Sequence, residues 1–309
     1  MTANLRNLNA LDFSYLIRQS HTFENLDTLR LVTNGEPLSF MGMASTLFAQ
    51  KHTGIVLELD GKPLVVARAV QWQDEDFAQL QFINAMEPAE SNNVAVLEAL
   101  LKEIGAWGLT RVMGDISTDS IYLSDFRKAN FIVWASHRSY SLSAPVLGAP
   151  ESSAWRTWTA KDYANMKTLY QSLVPSRIRQ YEPMTRSKVL GKVISDASGN
   201  LTGYVDLDYG SKGLWAQLFL LPEASRPEVL EDLAGKLYME FGRPITFSAR
   251  SYMPWLRLAL DKLDAQASGE RALIVRHLAI KDAKPEQAGE TIFEKSPAEG
   301  SIFSAESQN

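Results

Sequence analysis

The chain has no cysteine in 309 residues, which excludes disulfides, thiolate metal sites and a thiol nucleophile. Histidine is scarce. His21, His52, His137 and His277 are the only four, and no two stand at ligand spacing on one helix, so no metal cofactor is expected. No stretch approaches the roughly 20 apolar residues of a membrane span. The start, MTANLRNLNALDF, lacks the apolar core of a signal peptide. Together these absences predict a cytoplasmic protein with no membrane partner. Positive charge is not in excess either: 31 Lys and Arg against 36 Asp and Glu leave a net charge of -5, without bulk attraction to a phosphate backbone. A nucleic-acid partner is therefore not expected, the loose group Arg177, Arg179, Arg186 and Lys188 being the best basic patch. Gly-x-Ser-x-Gly, Walker and Rossmann glycine patterns are missing as well, so a hydrolase triad, an NTP site and a dinucleotide site have no support.

What the chain does have is a repeat. Asp119 to Leu142 (DSIYLSDFRKANFIVWASHRSYSL) and Ser251 to Ala279 (SYMPWLRLALDKLDAQASGERALIVRHLA) each read as an amphipathic helix, a turn and an apolar strand holding an Arg beside a His. Upstream, Ala78-Gln79-Leu80 corresponds to Ala216-Gln217-Leu218. The spacing is constant, since 216 less 78 and 276 less 138 both give 138. A constant offset through a whole half implies two copies of one plan.

Periodicity fills in each copy. In the first, Leu8 to Ser20 and Glu24 to Leu31 read as helical, and Gly54–Leu59 and Pro63–Trp72 as strands joined by an Asp60-Gly61 hairpin turn. Strand Ala78–Ala85, helix Asn93–Trp107, strand Arg111–Ile116, helix Ile121–Ala129 and strand Ile132–Leu142 follow. Ser143 to Ser153 is rich in Pro, Ser and Gly and reads as the linker. The second copy starts with strand Trp155–Trp158 and a helix that Asp162 is expected to cap. A hairpin around Ser198-Gly199-Asn200, strand Leu214–Leu220, helix Pro227–Phe241, strand Ile245–Ala249, helix Pro254–Leu263 and strand Arg271–Ala279 complete it. The expected domains are thus 1–145 and 146–281, with a disordered polar tail at 282–309. The expected fold class is α/β: two tandem domains, each a mixed, mostly antiparallel sheet flanked by helices.

This order resembles the GNAT acetyltransferase fold. Phe126-Arg127-Lys128-Ala129-Asn130-Phe131 matches the Leu-Gly-Phe turn that ends the family's last helix, with Asn130 taking the left-handed position of the glycine. Leu260 to Ala265 fits the turn less well. The family's glycine-rich signature, which brings backbone N–H groups to the pyrophosphate of acetyl-CoA at a helix N-terminus, is absent from both copies. Met86 to Ala95 (MEPAESNNVA) and Leu221 to Glu228 (LPEASRPE) stand in its place, the first with Glu87 and Glu90, the second with Pro222 and Pro227.

The resemblance implies acetyl-CoA as cosubstrate and an amine on a small molecule or peptide as acceptor. It puts cofactor contacts on Phe82, Ile83, Asn84, Asn92 and Asn93 of the first copy, and on Phe219, Leu220 and Arg226 of the second. A carboxylate on the central strands is the expected base, which points to Glu58, with Asp115 and the pair Asp206 and Asp208 as further acids. The family's thiolate-protonating Tyr is replaced by Phe126 and Leu260. Tyr122, one turn earlier on the same face, is the substitute in the first copy and Tyr252 in the second. With its signatures eroded, the pair is read either as an N-acyltransferase or as a degenerate module that binds a ligand or protein.

Overall fold

A computed structural model describes residues 3–18, 23–39, 42–43, 49–73, 75–85, 90–142, 153–185, 191–263 and 265–279. The first half runs β1 (Ala3–Asn7), α1 (Ala10–Arg18), β2 (Glu24–Asn25), α2 (Thr28–Asn34), β3 (Ala49–Leu59), β4 (Lys62–Trp72), β5 (Ala78–Ala85), α3 (Glu90–Gly105), β6 (Arg111–Ser117), α4 (Leu123–Lys128) and β7 (Ile132–Leu142). The second runs β8 (Arg156–Thr157), α5 (Tyr163–Leu173), β9 (Lys192–Ser195), β10 (Leu201–Tyr209), β11 (Leu214–Leu220), α6 (Pro227–Phe241), β12 (Ile245–Arg250), α7 (Pro254–Leu260), β13 (Gln266–Ala267) and β14 (Arg271–His277).

Turn chemistry sets the local geometry where it was expected to. Asp60 and Gly61 take φ of 49° and 79°, the paired left-handed conformation that matches the twist of the hairpin β3–β4. Asn130 takes φ of 60°. That turn sends Phe131 back over α4, where its ring meets Phe126 edge-on at 5.1 Å.

Two local expectations are corrected, and one strand was not expected. Glu24 to Leu31 is not one helix, because the Asp27 carboxylate accepts the Arg30 N–H and so starts α2 at Thr28, while Glu24 and Asn25 pair as β2. Asp162 does not cap α5 with its side chain. Its carboxylate turns back to Thr159 N–H at 2.7 Å and to Arg156, closing a capping box on the preceding 3-10 turn. Strand β1, too short for its alternation to register, pairs antiparallel with β3. Most of the linker (143–152), the tail from 280 on, and Arg186 and Lys188 of the basic group lie outside the described residues.

The halves are joined by an exchange of closing strands. The sheet runs β1-β3-β4-β5-β6-β14-β7-β12-β11-β10-β9-β8, so β14, from the second half, lies between β6 and β7 of the first. In return β7 pairs with β12 of the second half from Ile245↔Leu142 to Arg250↔His137. Burial follows the exchange. Ala272 and Ile274 of β14 belong to the core of the first half, and Tyr140 of β7 to that of the second. A fully buried side chain of the size of Ile274 contributes roughly 2 kcal/mol to the half it did not come from. Residues 1–279 accordingly form one compact unit.

In each half one parallel strand pair parts midway. Strands β5 and β6 pair only at Ala78↔Val112 and Gln79↔Met113, and β11 and β12 from Leu214↔Ile245 to Gln217↔Ser248. The two partings fall at Gln79 and Gln217, which are 138 residues apart, and each leaves a notch in the sheet.

Candidate active site

The first notch is filled by the chain itself. Glu24 and Asn25 pair with Ile83 and Phe82, the Leu26 N–H donates to Gln81 O at 2.9 Å, and the Asp115 N–H donates to Leu26 O at 3.0 Å. Leu26 thereby bridges the parted strands. Gln79 seals the apex, its Nε2 donating to Leu26 O at 2.9 Å and Leu80 O at 3.2 Å. At the far end the Ala85 N–H donates to the hydroxyl oxygen of Tyr122 at 3.1 Å.

The second notch differs. No strand among the described residues pairs into it, and neither amide atom of Gln217 has a hydrogen-bond partner among them, although the residue is only 5 % exposed. Two unpaired polar atoms in a buried side chain are costly and set Gln217 apart from Gln79. At the outer end Trp255 of α7 donates its Nε1–H to Leu220 O at 2.9 Å. The following loop forms a 3-10 turn, Pro222–Ala224, and Arg226 is exposed immediately before α6.

Between the two apexes lies a cavity of about 360 Å³, within the range of small-molecule sites. Gln79, Met113, Gly114 and Asp115 line it from the first half, Trp215, Asp208 and Arg250 from the second, and Trp134, His137 and Leu273 from the exchanged strands. The start of α2, with Asp27, Leu29 and Arg30, and the end of β4 at Trp72 close it over. A smaller space reaching Gln217, Glu182 and Asp206 shares Leu29, Asp208, Trp215 and Arg250 with it, so the cavity leads to the apex of the second notch.

The charges around the cavity are strongly differentiated. Asp115 is buried and accepts Thr28 N–H at 2.9 Å, Thr28 Oγ1–H at 2.5 Å and Arg271 Nε–H at 2.5 Å. Burial alone would raise its pKa. Arg271 and the Thr28 hydrogen bonds outweigh that and hold it below the ordinary carboxylate value. Arg271 also donates to Asn25 O, so the last strand clamps the segment that fills the first notch. Arg250 and Glu182 form a buried bidentate pair, with Tyr252 donating to the same carboxylate at 3.4 Å. His137, 1 % exposed, is pushed by burial, and further by Arg250 and Arg271, down to about 3, so it is neutral near pH 7.

Asp27 is the exception. Its Oδ1 caps α2, but Oδ2 is buried without a hydrogen-bond partner among the described residues. Burial first, and then the nearby Asp115 and Glu75, push its pKa up to about 7, against the pull of Arg30. A carboxyl poised near neutral pH in a cavity is suited to accept a proton.

No family model matches the chain, and no curated protein does. Solved structures do. A GCN5-related N-acetyltransferase from Sphaerobacter thermophilus superposes with a TM-score of 0.54 at 12% identity, over 89% of this chain and 95% of that one. The chain has the GNAT fold. A tandem GNAT protein from the clavulanic acid biosynthesis pathway matches at TM-score 0.48 and 14% identity, over 89% of this chain and 98% of its own. A GCN5-related N-acetyltransferase from Kribbella flavida matches at 0.44 and 15%, over 90% and 71%.

Within the GNAT frame the residues named from sequence are dispersed. Phe82 is buried and stacks on Phe23 at 4.8 Å, Ile83 lies in the core, and the backbones of both are taken by β2. Asn84 is fully buried, Asn93 donates to Asp125 at 2.7 Å within the fold, and Asn92 is half-buried on α3. Phe219 stacks on Tyr204 at 4.6 Å beside Leu220. Glu58 sits on β3, ion-paired with Arg6 at 2.6 Å, and is not among the cavity residues. Tyr122 caps the end of β5 and is likewise outside the cavity. Asp115 and Asp208 are brought into the cavity, while Asp206 accepts from Thr185 Oγ1 at 2.6 Å and lines only the smaller space. Asp27, Arg30, Trp72 and Trp134 were missed. Asp27 is an N-cap residue type directly before Thr28, and that is the local signal for the start of α2. Among the described residues there is no group of three or more His, Asp or Glu able to hold a metal, and no helix long and apolar enough to cross a membrane.

Proposed function

We propose that the chain is an acyl-CoA-dependent N-acyltransferase whose second half takes the acyl-CoA and whose central cavity takes the amine. The observation that carries this reading is the contrast between the glutamines: Gln79 is bonded to the chain segment filling its notch, whereas Gln217 stands unpaired where the cavity meets the other notch. The first notch does not fit a cofactor, because β2 and Leu26 already use the strand edge. In the second, the strand end Phe219–Leu220 and the exposed Arg226 before α6 would hold acyl-CoA, which supplies the activated acyl group. Asp27, in the cavity wall with its pKa raised by burial, is the carboxyl of this lining suited to take the amine proton. Tyr252 lines neither space but hydrogen-bonds to Glu182, which lines the smaller one, and its hydroxyl would return a proton to the leaving sulfur. Arg250, held by Glu182, fixes the corner where the two meet.

A second reading, a non-catalytic ligand-binding module, is favoured by the two prolines in the second cofactor loop and by the Trp255 bond to Leu220 O. Titration calorimetry of the full chain with acetyl-CoA and CoA separates the two. The transferase reading expects saturable micromolar binding, weakened at least tenfold by Arg226→Glu. No heat and no thermal stabilisation at millimolar acetyl-CoA would refute it and leave the module.

A further inference from the structure

The wall of the cavity is unbalanced in charge. Asp27, Glu75, Asp115 and Asp208 line it, and Glu182 and Asp206 line the smaller space that continues it. Against these carboxyl groups stand two guanidiniums of the same linings, Arg30 and Arg250, and a third, Arg271, beside Asp115. Each guanidinium is already engaged. Arg30 pairs with Asp208 at 3.7 Å and stacks on the Trp72 ring, Glu182 holds Arg250 through two hydrogen bonds, and Arg271 holds Asp115. His137 stays neutral near pH 7 because it is buried. The wall is therefore negative among the described residues, and it remains so with Asp27 protonated. That excess acts within the wall itself, since Asp115 and Glu75 both add to the burial that raises the pKa of Asp27. A positive charge in the cavity relieves this repulsion, and a negative one increases it.

We infer that the cavity is a site for a small organic cation: a primary amine with an aromatic body and no acidic group. The rest of the lining suits such a body. With Trp72 covered by Arg30, the wall still has Phe77, Trp134 and Trp215, whose rings offer apolar surface and, through their quadrupoles, attract cations. A volume of about 360 Å³ accommodates one ring with a short alkylamine chain. Coulomb attraction acts through space, so the ammonium gains from the whole wall without a hydrogen bond to any one carboxylate. A ligand carboxylate meets the opposite field, and every guanidinium that could receive it is committed elsewhere. Amino acids are rejected along with simple acids, because the same charges that attract the amine repel their second group. As an acyl acceptor the amine rests on the transferase reading above; as a bound ligand it does not.

The test is calorimetry and thermal stabilisation of the full chain at pH 8, without acetyl-CoA, against four probes that share one body and differ in charge. These are phenethylamine, 2-phenylethanol, phenylalanine and 3-phenylpropionate. Phenethylamine should bind, with the neutral alcohol at least tenfold weaker and the amino acid and the acid weaker still. Asp27→Asn keeps a capping side chain before α2 but not the charge. It should lose tenfold or more of the affinity for phenethylamine while still unfolding cooperatively. Binding of none of the four overturns the inference. So does an acid or amino acid that binds as tightly as the amine, or an unaltered amine affinity in Asp27→Asn. Amine binding without acetyl-CoA binding would leave the inference standing and remove the transferase reading. Acetyl-CoA binding with no preference among the four probes would do the reverse, so the two fail separately.

Discussion

Asp27 should destabilise the folded protein in a pH-dependent way, and the size of the effect follows from its burial. In the folded chain its pKa is raised from the ordinary 3.8 to about 7, chiefly because no water reaches the carboxylate. Between those values the native state holds a proton that the unfolded chain has released. Stability supplied by that proton is complete below pH 4 and is lost as pH rises towards 7. About 3 units at 1.36 kcal/mol each amount to about 4 kcal/mol. Asn in its place has no titration and caps α2 equally well. Relative to the native sequence, Asp27→Asn should therefore be near neutral at pH 4.5 and more stable by up to about 4 kcal/mol at pH 8. His137 works in the other direction. Depressed to about 3, it costs stability as pH falls below about 6.5, but it is present in both proteins and cancels in the difference. Urea unfolding of both proteins at intervals between pH 4.5 and 8.5 reads this directly. A difference that does not change with pH would show that Asp27 is not buried with an unmatched charge, and its part as the base would lose its support. A gain in stability together with lost turnover is the expected signature of a functional residue.

Two further outcomes are expected. Arg271→Gln leaves Asp115 buried without its cation and frees Asn25 O, so unfolding free energy should fall by about 3 kcal/mol; an unchanged urea midpoint would show that the exchanged strand does not clamp the first notch. Tyr122→Phe removes the acceptor of the Ala85 N–H and should cost about 1 kcal/mol in stability with turnover unchanged, whereas a tenfold loss of turnover would return the acid role to Tyr122 and the activity to the first half.

Much of the fold was legible because its signals are local. Asp60-Gly61 and Asn130 announce left-handed turns that few other residues tolerate, and the structure has them there. Strands Ala78–Ala85, Ile132–Leu142 and Leu214–Leu220 and helix Pro227–Phe241 agree with their periodicity to the residue. The constant spacing of 138 between Gln79 and Gln217 likewise marks two equivalent points, and both prove to be where a parallel pair parts.

The site was legible only in pieces. Asp115 and Asp208 are recognisable as acids on strands, but no local pattern brings them to one place. Asp27 was hidden inside a segment whose apolar spacing suggested one helix, because a side-chain pattern does not record that Glu24 and Asn25 will find a free strand edge at Ile83 and Phe82. Which strand lies beside which was equally invisible. The alternation in Arg271–His277 buries one face whatever its neighbour, so it cannot say that β14 pairs with β6 of the other half.

By itself, then, the sequence determined the elements, their turns and their duplication, since each depends on residues within a few positions of one another. The tertiary structure decided that one notch is closed and the other open, and that acids, indoles and arginines from both halves surround a single cavity. Those outcomes depend on hydrogen-bonding edges and buried volume shared between segments up to 247 residues apart, as in the contact of Arg271 with Glu24, and no local pattern encodes them.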